Sequence, residues 1–160
     1  MSDEPLVLAS HLHGEGHFRS TVHNVIPILC DEDRAYSLGV AKHWCHPGPL
    51  VVVEHDIEAT NVLVSGLLEC NYSVCSWAYP LHWASSGRVE DVYAHKNDGL
   101  PIEYDTEWAD WSAPGFMKIA PEARTGPIVE CHWRRVEDAI NAAITGPVHL
   151  HWPPVQHHHW

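Results

Sequence analysis

Leu50-Val51-Val52-Val53-Glu54-His55-Asp56-Ile57-Glu58 is a run of branched apolar residues that stops abruptly at acidic and imidazole side chains. The apolar part reads as a strand covered on both faces, as in the interior of a parallel sheet. Such a strand delivers its C-terminal end to the crevice where open α/β sheets bind ligands. Glu54 and Asp56 are two apart, so in extended chain they point the same way. Two oxygen donors at that point suit a hard divalent cation.

Working outward, the flanks alternate between strand and helix patterns. Leu6 to Ser10 reads as a strand, and Val25 to Cys30 as a second one. Pro27 removes a ladder donor from the latter and places it at a sheet edge. Asp31-Glu32-Asp33 opens a helix whose Tyr36, Val40 and Trp44 recur every four residues. His46-Pro47-Gly48-Pro49 stops it before the Leu50 strand begins. Thr60 is the N-cap of a helix over Asn61 to Glu69, with Val64, Leu67 and Leu68 as its inner stripe. Val74 to Tyr79 then reads as a strand, which completes a βαβ unit with the acidic cluster at its first turn.

Beyond it, the segment 84–115 has little periodicity and contains Gly87, Gly99, Pro101 and Pro114. An unstructured loop of that length is unusual, so short elements are expected inside it. Phe116 to Ile119 reads as a strand. Trp133, Val136, Ile140 and Ile144 form a helical stripe that ends at Gly146-Pro147. Val148-His149-Leu150-His151-Trp152 alternates strictly, which puts His149 and His151 on one face. Residues 153–160 form a histidine-rich C-terminal tail.

The chain of 160 residues has the size of one domain, and 1–160 is read as a single unit. Its net charge is −12 with histidine neutral, and it has no Lys/Arg cluster. General nucleic-acid binding needs a basic face and is not expected. No apolar run is long enough to span a membrane, and the acidic start is unlike a signal peptide, so a cytoplasmic location is expected. The five cysteines, an odd number without a secretory signal, are expected as reduced thiols. Cys70 and Cys75 flank a turn, but no second CxxC pair completes a zinc site. The 15 histidines outnumber the 9 lysines and arginines, so charge changes steeply just below neutral pH.

Strand, ExD, helix, strand and a distant histidine together resemble a nucleotide-sugar glycosyltransferase of the GT-A fold. More narrowly, the chain is similar to small GT-A-like proteins of actinobacteria and their phages. The matching segments are Asp33-Arg34-Ala35-Tyr36, Val51-Val52-Val53-Glu54-His55-Asp56, Cys75-Ser76-Trp77-Ala78-Tyr79-Pro80 and His149-Leu150-His151-Trp152-Pro153-Pro154. The resemblance implies a compact α/β fold, a mostly parallel sheet flanked by helices. It implies that Glu54, His55 and Asp56 bind the metal–diphosphate of a nucleotide-sugar donor. The metal, Mn2+ or Mg2+, would be held by Asp56 and Glu54 with a late histidine. His149 and His151 are the first candidates for that histidine, and His157 follows them.

The acceptor and its base are not specified by the resemblance. Asp105, Glu107 and Asp110 lie beside Trp108 and Trp111, where an aromatic face can stack on a sugar and a carboxylate can take a hydroxyl proton. Glu107 and Asp110 are taken as the catalytic candidates, and 84–115 as the acceptor loop. Glu137 and Asp138 fall on the polar side of their helix and read as solvated. Two other readings stand beside the enzyme. One is a non-catalytic binding or assembly protein on a degenerate GT-A scaffold. The other is a histidine-rich metal-binding protein or metal-dependent hydrolase using His11, His13, His17 and the terminal histidines, although no HExxH spacing is present.

Overall fold

A computed structural model describes residues 2–12, 18–85 and 88–158. Its elements in chain order are β1 (Leu6–His11), β2 (Asn24–Leu29), α1 (Ala35–His43), β3 (Leu50–Val53), α2 (Asn61–Glu69), β4 (Val74–Trp77), β5 (Pro80–Ser85), β6 (Arg88–Tyr93), β7 (His95–Asn97), β8 (Leu100–Pro101), β9 (Trp108–Ala109), β10 (Trp111–Ser112), β11 (Phe116–Ile119), α3 (Val136–Ala143) and β12 (Val148–His151). Seven strands form one sheet in the order β2-β1-β3-β11-β4-β12-β9.

The α/β class holds, but the sheet is mixed rather than mostly parallel. β1 pairs in parallel with β2 and β3, and β4 with β12. β11 is antiparallel to both β3 and β4, and β9 is antiparallel to β12. The reason lies in the crossover: β3 and β4 run the same way and are joined through α2, but β11 occupies the slot between the two strands. A strand far along the chain cannot be placed in that slot from local periodicity. β2, with Pro27 inside it, lies at the edge where a missing donor costs least.

β3 is buried at all four positions, as its uninterrupted branched sequence requires. One of its faces, Leu50 and Val52, joins a cluster with Tyr36 and Val40 of α1 and Val136 and Ile140 of α3. The other face, Val51 and Val53, packs with Val64 and Leu67 of α2. Helices thus cover both faces of the sheet. Each fully buried aliphatic side chain contributes about 1.5–3 kcal/mol, so this two-sided core holds the central strand, and with it the strand's end, in a defined place.

Some boundaries differ from the periodic reading. α1 begins at Ala35, and the acidic triplet precedes it in a turn closed by the Ala35 N–H donating to the Glu32 carbonyl at 3.1 Å. Thr60 caps α2 as expected, accepting from the Leu63 N–H at 3.3 Å. Trp133 precedes α3 and is half exposed, so the buried stripe narrows to Val136, Ile140 and Ala143. The described residues of 84–115 form short pairings: β5 with β6, and β7 between β8 and β10. Cys70 and Cys75 are joined as a disulfide, which corrects the expectation of reduced thiols for that pair. Among the described residues, no helix is long and apolar enough to cross a membrane. His13, His17 and His159, named for a histidine-tract site, lie outside the described residues.

Candidate functional site

The site begins where the β3 ladder ends. The Glu54 N–H donates to the Gly115 carbonyl at 2.8 Å, just before β11. The His55 N–H donates to Ser10 Oγ on neighbouring β1 at 3.2 Å. The chain then turns, so the extended geometry assumed for Glu54-His55-Asp56 does not persist. Two strands therefore anchor the motif from below. Gly115 is itself held, its N–H donating to the buried Tyr79 hydroxyl at 3.0 Å. A Cβ at Gly115 would run into that hydroxyl, so the close approach requires glycine here.

The C-terminal tail closes the site from above. The Glu58 N–H donates to the Gln156 carbonyl at 3.0 Å, and the His158 N–H to the Asp56 carbonyl at 2.7 Å. Ile57 and His157 form an antiparallel bridge. This pairing brings His157 Nε2 to 2.9 Å from Asp56 Oδ2, with both side chains largely covered at 11% and 22% exposure. The tail is thus a structural part of the ExD turn as far as the described residues extend.

The carboxylates of this site respond to one another. Burial pushes the Glu54 carboxyl up to about 8, and the negative charges of Asp56 and Glu137 push the same way. The Tyr36 hydroxyl, donating to Glu54 Oε1 at 3.1 Å, offsets part of this. Burial opposes ionisation of Asp56 too, but the hydrogen bond and charge of His157, together with His55, hold it below its ordinary value. Glu137 at the start of α3 is raised by burial and by Asp138 and Asp56, against the pull of Lys96. The Asp56 charge thus acts on both Glu54 and Glu137, and the Glu137 charge acts on Glu54. Glu137 is not the solvated residue expected from its helix. Its position three before Ile140 borders the buried stripe, and that was the available signal.

Asp56 is the carboxylate of this turn with the least satisfied oxygens. Asp56 Oδ1 is buried and has no hydrogen-bond partner, while Oδ2 faces an imidazole. A buried carboxylate oxygen without a donor is costly unless a cation meets it. Glu54 lies near enough to Asp56 for its carboxyl to respond to that charge, and the late histidine beside Asp56 is His157. His149 and His151, the first candidates, are elsewhere. They face Cys75 and Trp77 across the β4–β12 pairing and cluster with Cys70 and Cys75. Neither is among the groups that shift Asp56. The alternation did put them on one face, but that face is the one under α2.

The acceptor-base candidates lie apart from this constellation. Asp110 is exposed, and its carboxylate accepts the Asp98 N–H at 2.9 Å within a turn. Glu107 is exposed and lies 3.9 Å from His149. Asp105 is exposed at a turn with positive φ. Trp111 packs against the core and beneath Lys96, as a filling residue would. Trp108 makes edge-to-face contacts with Tyr72 and His149. His95 is fully buried between the Tyr79 N–H and Ser112 Oγ.

No family model matches the chain, and no curated protein matches it. Among solved structures, the chain is similar to the crystal structure of A197 from STIV, with a TM-score of 0.54 and 11% identity. That superposition covers 92% of this chain and 81% of the other. At this identity the likeness is one of fold alone.

Proposed function

We propose that the chain is a metal-dependent glycosyltransferase that takes a nucleotide-sugar donor and transfers its sugar to an acceptor hydroxyl. One observation carries the reading. At the C-terminal end of a fully buried central strand, Asp56 meets a histidine from 101 positions later, within hydrogen-bond distance. Carboxylate plus late histidine is the pairing that the GT-A resemblance implies, although the histidine is His157.

Asp56 and His157 would hold Mn2+ or Mg2+, with Glu54 behind them. The ion, when bound, would neutralise charge developing on the departing diphosphate. Glu54 supplies charge only when ionised, so its protonation sets how strongly the pocket draws a cation. In the transfer, the acceptor oxygen forms a bond to the anomeric carbon while the bond to the diphosphate oxygen breaks. The hydroxyl proton goes to a base, and Glu137 fits that role better than Glu107 or Asp110. Burial and the charges of Asp138 and Asp56 raise its carboxyl, which makes it a more effective acceptor near neutral pH.

The test is calorimetry with a panel of nucleoside diphosphates and their sugars, with and without Mn2+, using wild type and Asp56→Ala. Manganese-dependent binding that vanishes in the variant is the expected result. Wild-type protein that binds no donor at millimolar concentration sinks the proposal and leaves a scaffold for binding or assembly.

A further inference from the structure

Away from the strand-end site, the turn between α2 and β4 meets the last strand of the parallel pair. Cys70 lies just past α2, Cys75 is on β4, and His149 and His151 are on β12. Lys118, Cys75 and His149 form one row across β11, β4 and β12. One ligand atom from each of Cys70, Cys75, His149 and His151 lies within 4.8 Å of all the others. The described residues contain no other group of His, Cys, Asp and Glu with such convergence.

We propose that, once the Cys70–Cys75 bond is reduced, these four side chains hold a zinc ion. Zinc bonds of the usual lengths put tetrahedral ligand atoms roughly 3.3–3.8 Å apart. Cys70 Sγ and His149 Nδ1 already stand 3.7 Å apart. His149 turns its other nitrogen, Nε2, toward Glu107 Oε1 at 3.9 Å. Metal-bound histidines commonly orient their second nitrogen on a carboxylate in this way. His151 Nε2 is buried without a hydrogen-bond partner, which a metal bond would remedy. Rings hold both imidazoles in place: Tyr72 and Trp108 against His149, and Trp77 against His151. Two thiolates with two imidazoles are a set for zinc rather than for manganese or magnesium.

Disulfide and zinc are alternative states of the same sulfurs. A trialkylphosphine takes the oxygen of water and becomes the phosphine oxide. The disulfide gains the two electrons and two protons and becomes two thiols. Zinc then displaces both thiol protons. The bound ion would tie the end of α2 and β4 to β12, whose continuation carries His157 to Asp56. The inference does not depend on the proposed activity.

The experiment uses full-length chain, phosphine-reduced, titrated with Co2+ and then with Zn2+. One equivalent of cobalt should give tetrahedral visible bands and a near-ultraviolet thiolate-to-cobalt band, and zinc should bleach both. Cys75→Ser should abolish the thiolate band, His151→Gln should weaken binding at least tenfold, and Cys131→Ser should leave it unchanged. Untreated, disulfide-bonded protein should show no thiolate band, which provides a control that needs no variant. Cobalt binding without that band assigns the metal to histidines elsewhere and overturns the proposal. So does a band that survives Cys75→Ser, or reduced wild type that binds no cobalt.

Discussion

Two regions of this molecule each join a C-terminal histidine to residues far back in the chain, and they differ in how. At the end of β3, a carboxylate cluster meets His157 through a tail that runs antiparallel to residues 56–58. Between β4 and β12, sulfurs meet His149 and His151 through sheet register. The first set is hard and anionic, the second soft and, as zinc thiolate, close to neutral. Donor chemistry, and not the presence of histidine, separates what the two places can hold.

The sharpest way to break that comparison is Asp56→Ala. It should lower manganese-dependent donor affinity by more than about 100-fold, since it removes a direct ligand where outer partners alone account for 10–100-fold. It should leave the cobalt–thiolate band of the reduced protein intact. Loss of both signals in a folded variant would mean the two regions act as one site.

Glu54 offers the next largest effect, through pH. Its carboxyl lies above its unfolded value of 4.5, at about 8 in the folded chain. The folded state therefore holds a proton that the unfolded state releases between those pH values. This contribution to stability is complete below 4.5 and is lost as pH rises through 8. Glu54→Gln should flatten that decline and gain roughly 2–4 kcal/mol at pH 8 relative to wild type. Denaturant midpoints measured across this window decide it, and parallel pH profiles for the two proteins would refute the assignment.

His157→Ala removes the second proposed ligand, so it should weaken manganese binding by more than about 10-fold and let the Asp56 carboxyl rise. Burial already pushes that carboxyl upward, and the variant removes its main opposing partner. An NMR titration of Asp56 reads the shift directly. An unmoved carboxyl would show that the tail does not set the charge of the turn. The smallest effect belongs to Tyr36→Phe. Losing the hydroxyl that serves Glu54 Oε1 should cost about 1 kcal/mol by chemical denaturation. It should also raise the Glu54 carboxyl further. A shift in the opposite direction would contradict the hydrogen bond seen at 3.1 Å.

Much of the framework was readable in the residues. The β3 strand, the Thr60-capped helix, the edge position of the Pro27 strand and the shared face of His149 and His151 all follow from period, capping and missing donors. These are local properties, decided within a few residues along the chain. The Glu54-His55-Asp56 position at a strand end was readable for the same reason.

What lay beyond the sequence was every partnership across a long separation. Only tertiary structure inserts β11 between β3 and β4, because hydrogen-bonding edges do not name their partner. Only the fold of the tail selects His157 over His149 and His151 as the companion of Asp56. Only the packing of α3 puts Glu137 within electrostatic reach of Glu54, and only the β4–β12 register collects Cys70 and Cys75 with two histidines. Side-chain chemistry and local pattern determined which elements form and what each residue can do. Long-range packing, which minimises exposed apolar area for the whole chain at once, decided which of those residues meet.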